Sequence, residues 1–314
     1  MRLTSTVSLV AAACAVIGAA AIAMTLRSGL WRTAPSAPAP TPGAVEYGRR
    51  LLMQTSELIG PDASDPRMRY AGSHLACASC HHNAGADPGA LSLLQSAARY
   101  PAMSGRDGGV RDLQDRINGC MERSMNGRPL PRDGAEIVAM AAYIDSLGRR
   151  WKTMTPAQRD AHERAPFKTP NRAADPDHGK AIFDVRCAVC HRADGSGLRA
   201  GPRPADGYVL PALWGPDSYN TGAGMSRVLT AARFIKARMP FGNPDLTDDE
   251  AFDVAAYINT QPRPRMANLD RDYPDRSAKP IDCPYGPYED PFPAEQHRLG
   301  PFPPIKAWYD ARRQ

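Results

Sequence analysis

Two short stretches carry the most distinctive chemistry in this chain: "CASCH" at residues 77–81 and "CAVCH" at 187–191. Each sets two thiols three residues apart, with an imidazole directly after the second. C-x-x-C-H is the attachment pattern of c-type haem. The thiols add to the porphyrin vinyl groups and the histidine becomes the proximal iron ligand. One helical turn brings both sulfurs and the ring to one porphyrin edge. A zinc site would need two further ligands, and neither half of the chain offers a second C-x-x-C. The pattern predicts two covalently bound haem c groups, one held through Cys77, Cys80 and His81, the other through Cys187, Cys190 and His191.

Each iron then needs a sixth ligand. In the second copy "RMPFG" supplies one: Met239, 48 residues after His191 and 16 before the "AAYI" segment, followed by Pro240 to shape the turn. A thioether raises the reduction potential, which suits onward electron transfer. In the first copy the same 16-residue offset points to Met125, but no proline follows it. Five residues upstream lies Cys120, in "RINGCMERSMNG", a cysteine outside both attachment motifs. An axial thiolate would lower the potential and set an electron-rich sulfur beside the iron. On residue chemistry alone both ligands stay open.

The elements that would position these groups occur twice. "VEYGRRLLMQTSELIG" (45–60) has helical spacing, and "DGAEIVAMAAYIDSLG" (133–148) reads as a helix with Asp133 as N-cap and Gly148 as the stop. In the second half "DPDHGKAIFDVRCAVCH" (175–191) runs a helix into the motif. "LTDDEAFDVAAYINTQ" (246–261) gives another helix, with Thr247 capping and Glu250 three residues on. "MAAYIDS" and "VAAYINT" are almost the same words. From His81 to Ala141 is 60 residues and from His191 to Ala255 is 64, so the chain is an internal duplication. The expected fold is mainly α: two tandem class I cytochrome c-like domains, at 44–148 and 175–262. A polar linker at 149–174 joins them, and an irregular proline-rich tail occupies 263–314.

The totals agree with a globular, exported chain. Of 314 residues 42% are hydrophobic, 31 are proline, and the formal charge is +6, which four haem propionates would bring close to neutral. No basic run is interleaved with aromatics, so no nucleic-acid partner is expected. Residues 1–43 read as a signal peptide or uncleaved membrane anchor followed by a Pro/Ala-rich spacer, which places the protein in the periplasm. Cys14 falls inside the apolar run and reads as incidental. Cys283 receives no role, and His74, His82, His178 and His297 read as structural or exposed rather than as ligands.

With these motifs in view, the chain resembles the dihaem thiosulfate dehydrogenases over about residues 45–305. The likeness includes both C-x-x-C-H motifs, "RINGCMERSMNG", "RMPFG" and "YGPYEDPFPAEQHRLGPF". The resemblance implies His81 and Cys120 as ligands of the first iron, His191 and Met239 of the second, and Arg106, Arg116 and Ser124 at the substrate site. The implied reaction joins two thiosulfates into tetrathionate and releases two electrons to an external acceptor such as a soluble cytochrome; some members favour the reverse. Some members also carry a lysine directly before the second methionine that exchanges with it as ligand. Here that position is Arg238, which cannot ligate, and Lys236 is three residues from Met239.

The chemistry such a reaction demands matches the residues. If 109–124 is helical, Arg116, Cys120 and Ser124 follow at i, i+4 and i+8 on one face, with Leu113 and Ile117 on an adjoining stripe. Two dianions about 5 Å apart repel by roughly 3 kcal/mol in water and about 13 kcal/mol at an effective dielectric of 20. Guanidinium groups offset that repulsion and orient the oxyanions. Residues 99–132 hold seven arginines and no lysine, against four acids. The rival readings are a non-catalytic dihaem electron carrier, which would use Met125, and a sulfur-oxidising cytochrome working on a carrier-bound substrate. The reverse activity, tetrathionate reduction, is a third.

Overall fold

The computed structural model describes residues 42–163, 167–203 and 207–312. The N-terminal apolar run and most of the spacer lie outside the described residues. Eleven helices are described: α1 Pro42–Met53, α2 Thr55–Ile59, α3 Leu113–Arg123, α4 Ala135–Thr153, α5 Pro156–Glu163, α6 Pro176–Arg186, α7 Ala188–His191, α8 Val228–Arg238, α9 Asp248–Thr260, α10 Ala294–Leu299 and α11 Pro303–Asp310. The strands are short. β1 Ala102–Met103 pairs antiparallel with β2 Val110–Arg111, and β3 Leu198–Arg199 with β4 Tyr208–Leu210. Helix α1 begins at Pro42, inside the expected spacer, with proline at the one position of a helix where its missing N–H costs nothing. Among the described residues no helix is long and apolar enough to cross a membrane.

Two crossed helix pairs form the cores, and both crossings are made at a glycine. In the first half α1 packs on α4; in the second α6 packs on α9. A Cβ at Gly48 would lie 2.0 Å from the carbonyl oxygen of Ala139, and one at Gly179 would lie 2.0 Å from that of Asp253. Ala139 and Asp253 each stand immediately before the "MAAYIDS" and "VAAYINT" words. Only a residue without a side chain lets the two backbones meet there. Around the first crossing, Leu51, Leu52, Ile59, Ile117, Met121, Ile137 and Tyr143 are buried. Around the second, Phe183, Leu246, Phe252, Val254 and Ile258 are.

Four features differ from the sequence expectations. Helix α4 is capped by Gly134 rather than Asp133 and runs through Gly148 to Thr153. Gly148 is buried against Ala97, whose Cβ is 3.0 Å from where a Cβ on Gly148 would sit. The glycine serves a close approach rather than a stop. The first part of the polar stretch after it is helical, through the end of α4 and then α5. The proline-rich tail carries α10 and α11, and its Phe302, Ile305 and Tyr309 join the second core. Helix α9 has the capping box its sequence spells, Thr247 and Glu250 exchanging hydrogen bonds.

The two halves are tied by partly buried polar contacts. The His74 N–H donates to Asp217 at 2.8 Å, and the ring bridges Asp217 and Asp62. From within the second half, Arg199 and the Tyr208 hydroxyl donate to the same Asp217, both at 2.7 Å. The Asn220 side chain donates to the Glu122 carbonyl at 2.8 Å, which sets the 217–222 loop against the end of α3.

Candidate functional site

Each C-x-x-C-H folds into a single turn by the same bonds. His81 N–H donates to the Cys77 carbonyl at 2.9 Å, and His191 N–H to that of Cys187 at 2.9 Å. The first turn is anchored by Thr55 at the start of α2, whose hydroxyl accepts from Cys77 N–H at 3.0 Å. Both imidazoles spend Nδ1 on a backbone carbonyl: His81 on Leu91 at 2.6 Å, His191 on Pro211 at 2.9 Å. Nδ1 must donate to these acceptors, so Nε2 keeps its lone pair. Burial holds both rings below the usual imidazole value and therefore neutral. A neutral ring with Nδ1–H fixed on a carbonyl is what a metal-ligating histidine needs. Burial also pushes the thiols up, Cys77 to about 11, Cys80 to about 12 and Cys187 to about 11.

A cavity of about 570 Å³ opens beside the first turn. That lies within the roughly 300–1,000 Å³ typical of small-molecule and cofactor sites. Cys77, His81, Cys120, Arg116, Arg99 and Tyr100 line it, together with the apolar side chains of Leu52, Leu113, Ile117, Met121, Met140 and Ile144. Apolar walls, the Cys77 and Cys120 thiols and a neutral imidazole with a bare Nε2 fit a haem group, although Cys80 itself is not part of the lining. In the second half the partly buried Cys187, Met239, Leu213 and Met225 pack on one core; nearby in sequence His191 is buried and Cys190 is exposed. This donor set fits a haem too.

Helix α3 delivers the chemistry to the first cavity. Asp112 caps it and forms a capping box with Asp115. It stops where Asn126 turns left-handed at φ +49° and Gly127 N–H reaches back to the Met121 carbonyl at 2.9 Å. Within the helix, Arg116 Nη1 donates to Cys120 Sγ at 3.0 Å. Met125, the other sixth-ligand candidate, lies 3% exposed in the core and is absent from the cavity lining. Ser124 caps the C-terminal end of α3, its N–H on the Cys120 carbonyl, and does not line the cavity. A Cβ on Gly119 would meet nothing within 4 Å, so no close approach within the protein requires that glycine.

Arg106 stands elsewhere. Its guanidinium donates to Asp272 at 2.7 Å and meets the Tyr285 hydroxyl at 3.0 Å, while Arg123 grips the same carboxylate through two bonds of 2.9 Å. Two guanidiniums on one carboxylate leave a net positive charge. Asp107, Asp112 and Asp115 occupy Arg111 and Arg132, and Arg128 donates to two backbone carbonyls. Among the described residues, Arg99 and Arg116 pair with no carboxylate, and both line the cavity. Sequence reasoning missed Arg99 and Tyr100. Tyr100 lies within the electrostatic reach of the Arg116 guanidinium and of Cys120. No motif marks either residue; only the fold brings the 95–100 segment to α3.

Two helical repeats, each offering a neutral, carbonyl-anchored imidazole beside a pair of cysteines, define a tandem cytochrome c. Residues 69–152 match the SoxA/TsdA cytochrome c domain and residues 176–262 the cytochrome c domain, which implies haem c binding. The chain is 40% identical over 227 residues to thiosulfate dehydrogenase of Allochromatium vinosum, covering 70% of this chain and 78% of that protein. It is 38% identical to thiosulfate dehydrogenase of Stutzerimonas stutzeri, covering 71% and 70%. Among solved structures it resembles thiosulfate dehydrogenase (TsdBA) of Marichromatium purpuratum in its as-isolated form, with TM-score 0.62 and 34% identity over 76% of this chain. It spans 49% of that longer chain. The chain belongs to the thiosulfate dehydrogenase family of oxidoreductases.

Proposed function

We propose that this chain is an exported, periplasmic dihaem cytochrome that oxidises two thiosulfates to tetrathionate and passes the electrons to an external acceptor such as a soluble cytochrome. In this reading haem c is attached through Cys77 and Cys80 and through Cys187 and Cys190. His81 and Cys120 would hold the iron at the first site, His191 and Met239 at the second. When bound, haem c supplies one-electron redox chemistry at each site. The net reaction joins the outer sulfurs of two thiosulfate dianions in a new S–S bond, and two electrons leave singly.

The chain's own residues bind the anions and set their approach. Arg116 and Arg99 face the cavity with no carboxylate partner among the described residues, and so can take sulfonate oxygens through charge-assisted hydrogen bonds. Arg106 contributes the residual charge of the Asp272 cluster, which lies near enough to act on Arg116. Cys120 Sγ, held 3.0 Å from Arg116, presents its sulfur where an outer thiosulfate sulfur arrives. Ser124 follows one turn beyond on the same helical face. No general base is required, because thiosulfate is already ionised.

The observation that carries this reading is the placement of Cys120, Arg116 and His81 around one cavity, with Met125 outside its lining. The test is Cys120→Ala. A variant that retains both haems and loses thiosulfate-dependent reduction of an artificial acceptor supports the reading. Full turnover with both haems present removes it, and a methionine-ligated first haem in the wild type would leave only an electron carrier.

A further inference from the structure

The residue immediately before Met239 reaches across to the other half of the molecule. Arg238 closes α8, and its Nη2 donates to the Pro88 carbonyl at 2.6 Å and toward the Ala90 carbonyl at 3.5 Å. The next carbonyl along that segment, Leu91, is the one that receives Nδ1 of His81 at 2.6 Å. Leu91 sits at φ +59° and Gly89 at φ +100°. A leucine in the left-handed region does not hold that conformation by preference; its surroundings must impose it. Internal ties exist, since Leu93 N–H donates to Gly85 at 2.9 Å and Ser92 N–H to Gly89 at 3.1 Å. Arg238 supplies a tie from outside, at the Pro88 carbonyl three residues before Leu91, with a longer approach to the Ala90 carbonyl.

A second contact joins the same two loops. The ring of His82, next to His81, lies edge-on to Phe241 at 5.4 Å, two residues beyond Met239, and to Phe234 of α8 at 5.6 Å. The loop after one C-x-x-C-H motif and the methionine loop of the other repeat thus grip each other on two sides.

We propose that Arg238 is a positioning residue for the first site: it holds the 88–91 backbone so that the Leu91 carbonyl stays on His81 Nδ1. The strut makes the methionine-bearing loop of the second repeat part of the support for the first repeat's imidazole. A hydrogen bond to Nδ1–H raises the basicity of the ligating nitrogen and thereby tunes the metal. This inference rests on the reading of His81 and Met239 as iron ligands.

The test compares full-length dihaem protein with Arg238→Ala and Arg238→Lys, after haem content has been checked, by low-temperature electron paramagnetic resonance and potentiometric titration of each haem. Expected for Arg238→Ala are an upward shift of the first haem's potential, changed g-values for that haem, and an unchanged methionine-to-iron absorption at the second. Arg238→Lys, which keeps a donor, should recover part of the shift. A first haem unchanged in both readouts would overturn the proposal, as would changes confined to the second haem. A wild-type spectrum without an imidazole–thiolate signal would overturn the ligand reading and this inference together, and it is seen before any variant is compared.

Discussion

Arg116 and Cys120 stand one helical turn apart on α3, guanidinium nitrogen 3.0 Å from sulfur, with the cavity open to both. Capping at Asp112 and the left-handed stop at Asn126 fix the ends of that helix, so the pair's geometry is set by backbone rather than by loop conformation. Such a pair can hold an anion and a reacting sulfur at once.

Arg116→Ala is therefore expected to leave folding intact, since among the described residues no carboxylate loses a partner, and to weaken handling of the dianion. Hydrogen bonds to charged groups contribute about 1.5–3 kcal/mol, so kcat/KM for thiosulfate should fall roughly 10- to 150-fold. Arg116→Lys should recover only part of this, because an ammonium cannot present the paired donors of a guanidinium. Steady-state kinetics with an artificial acceptor decide it; an unchanged kcat/KM would take Arg116 out of substrate binding.

The glycine crossings give a stability prediction. At Gly179 an added methyl group would collide with the carbonyl of Asp253, and two helix backbones would have to part. Overpacking costs about 1–3 kcal/mol and sometimes more, whereas alanine's helix advantage returns only about 1 kcal/mol. Gly179→Ala should lower the thermal midpoint of the holoprotein, and Gly48→Ala should do the same. A midpoint equal to wild type would mean that the helices re-space freely.

Much of this was legible in the sequence, and the remainder has one physical cause. The attachment motifs, the duplicated "AAYI" helices and the Thr247–Glu250 box are local patterns, and they specify a mainly helical pair of cytochrome c repeats. The stop expected at Gly148 failed because packing against Ala97 outweighed a local signal. The partner of Arg106 lies 166 residues away and that of Arg238 150 away. Spacing cannot show such pairs; they exist only once the two halves dock.

Asp272 makes that docking sensitive to acid. Burial alone would raise its carboxyl, but hydrogen bonds from Arg123 and Tyr285 and the charges of Arg123 and Arg106 outweigh it and hold the group below the ordinary carboxylate value. A depressed carboxylate contributes stability that is present above the unfolded value of about 3.9 and is lost as pH falls through the folded value. At pH 7 Asp272→Asn strands two guanidiniums and should cost about 3–5 kcal/mol. The gap between variant and wild type should close below about pH 4. Denaturant titrations at pH 7 and in acid test both statements; a pH-independent gap would assign the loss to packing instead.

At the second site the basic side chains on either side of Ala237, Lys236 and Arg238, are both engaged elsewhere. Lys236 is committed: its Nζ donates to the Leu246 carbonyl at 2.5 Å, on the loop leading into α9. Arg238 is turned to Pro88 and carries no lone pair to give a metal. To reach Met239's position, Lys236 would have to abandon that carbonyl and lose its proton. The methionine-to-iron absorption should therefore persist through repeated reduction and reoxidation, and Lys236→Met should trace the same spectra. A nitrogen-ligated species appearing after reduction in the wild type, and absent in Lys236→Met, would show that Lys236 leaves Leu246 after all.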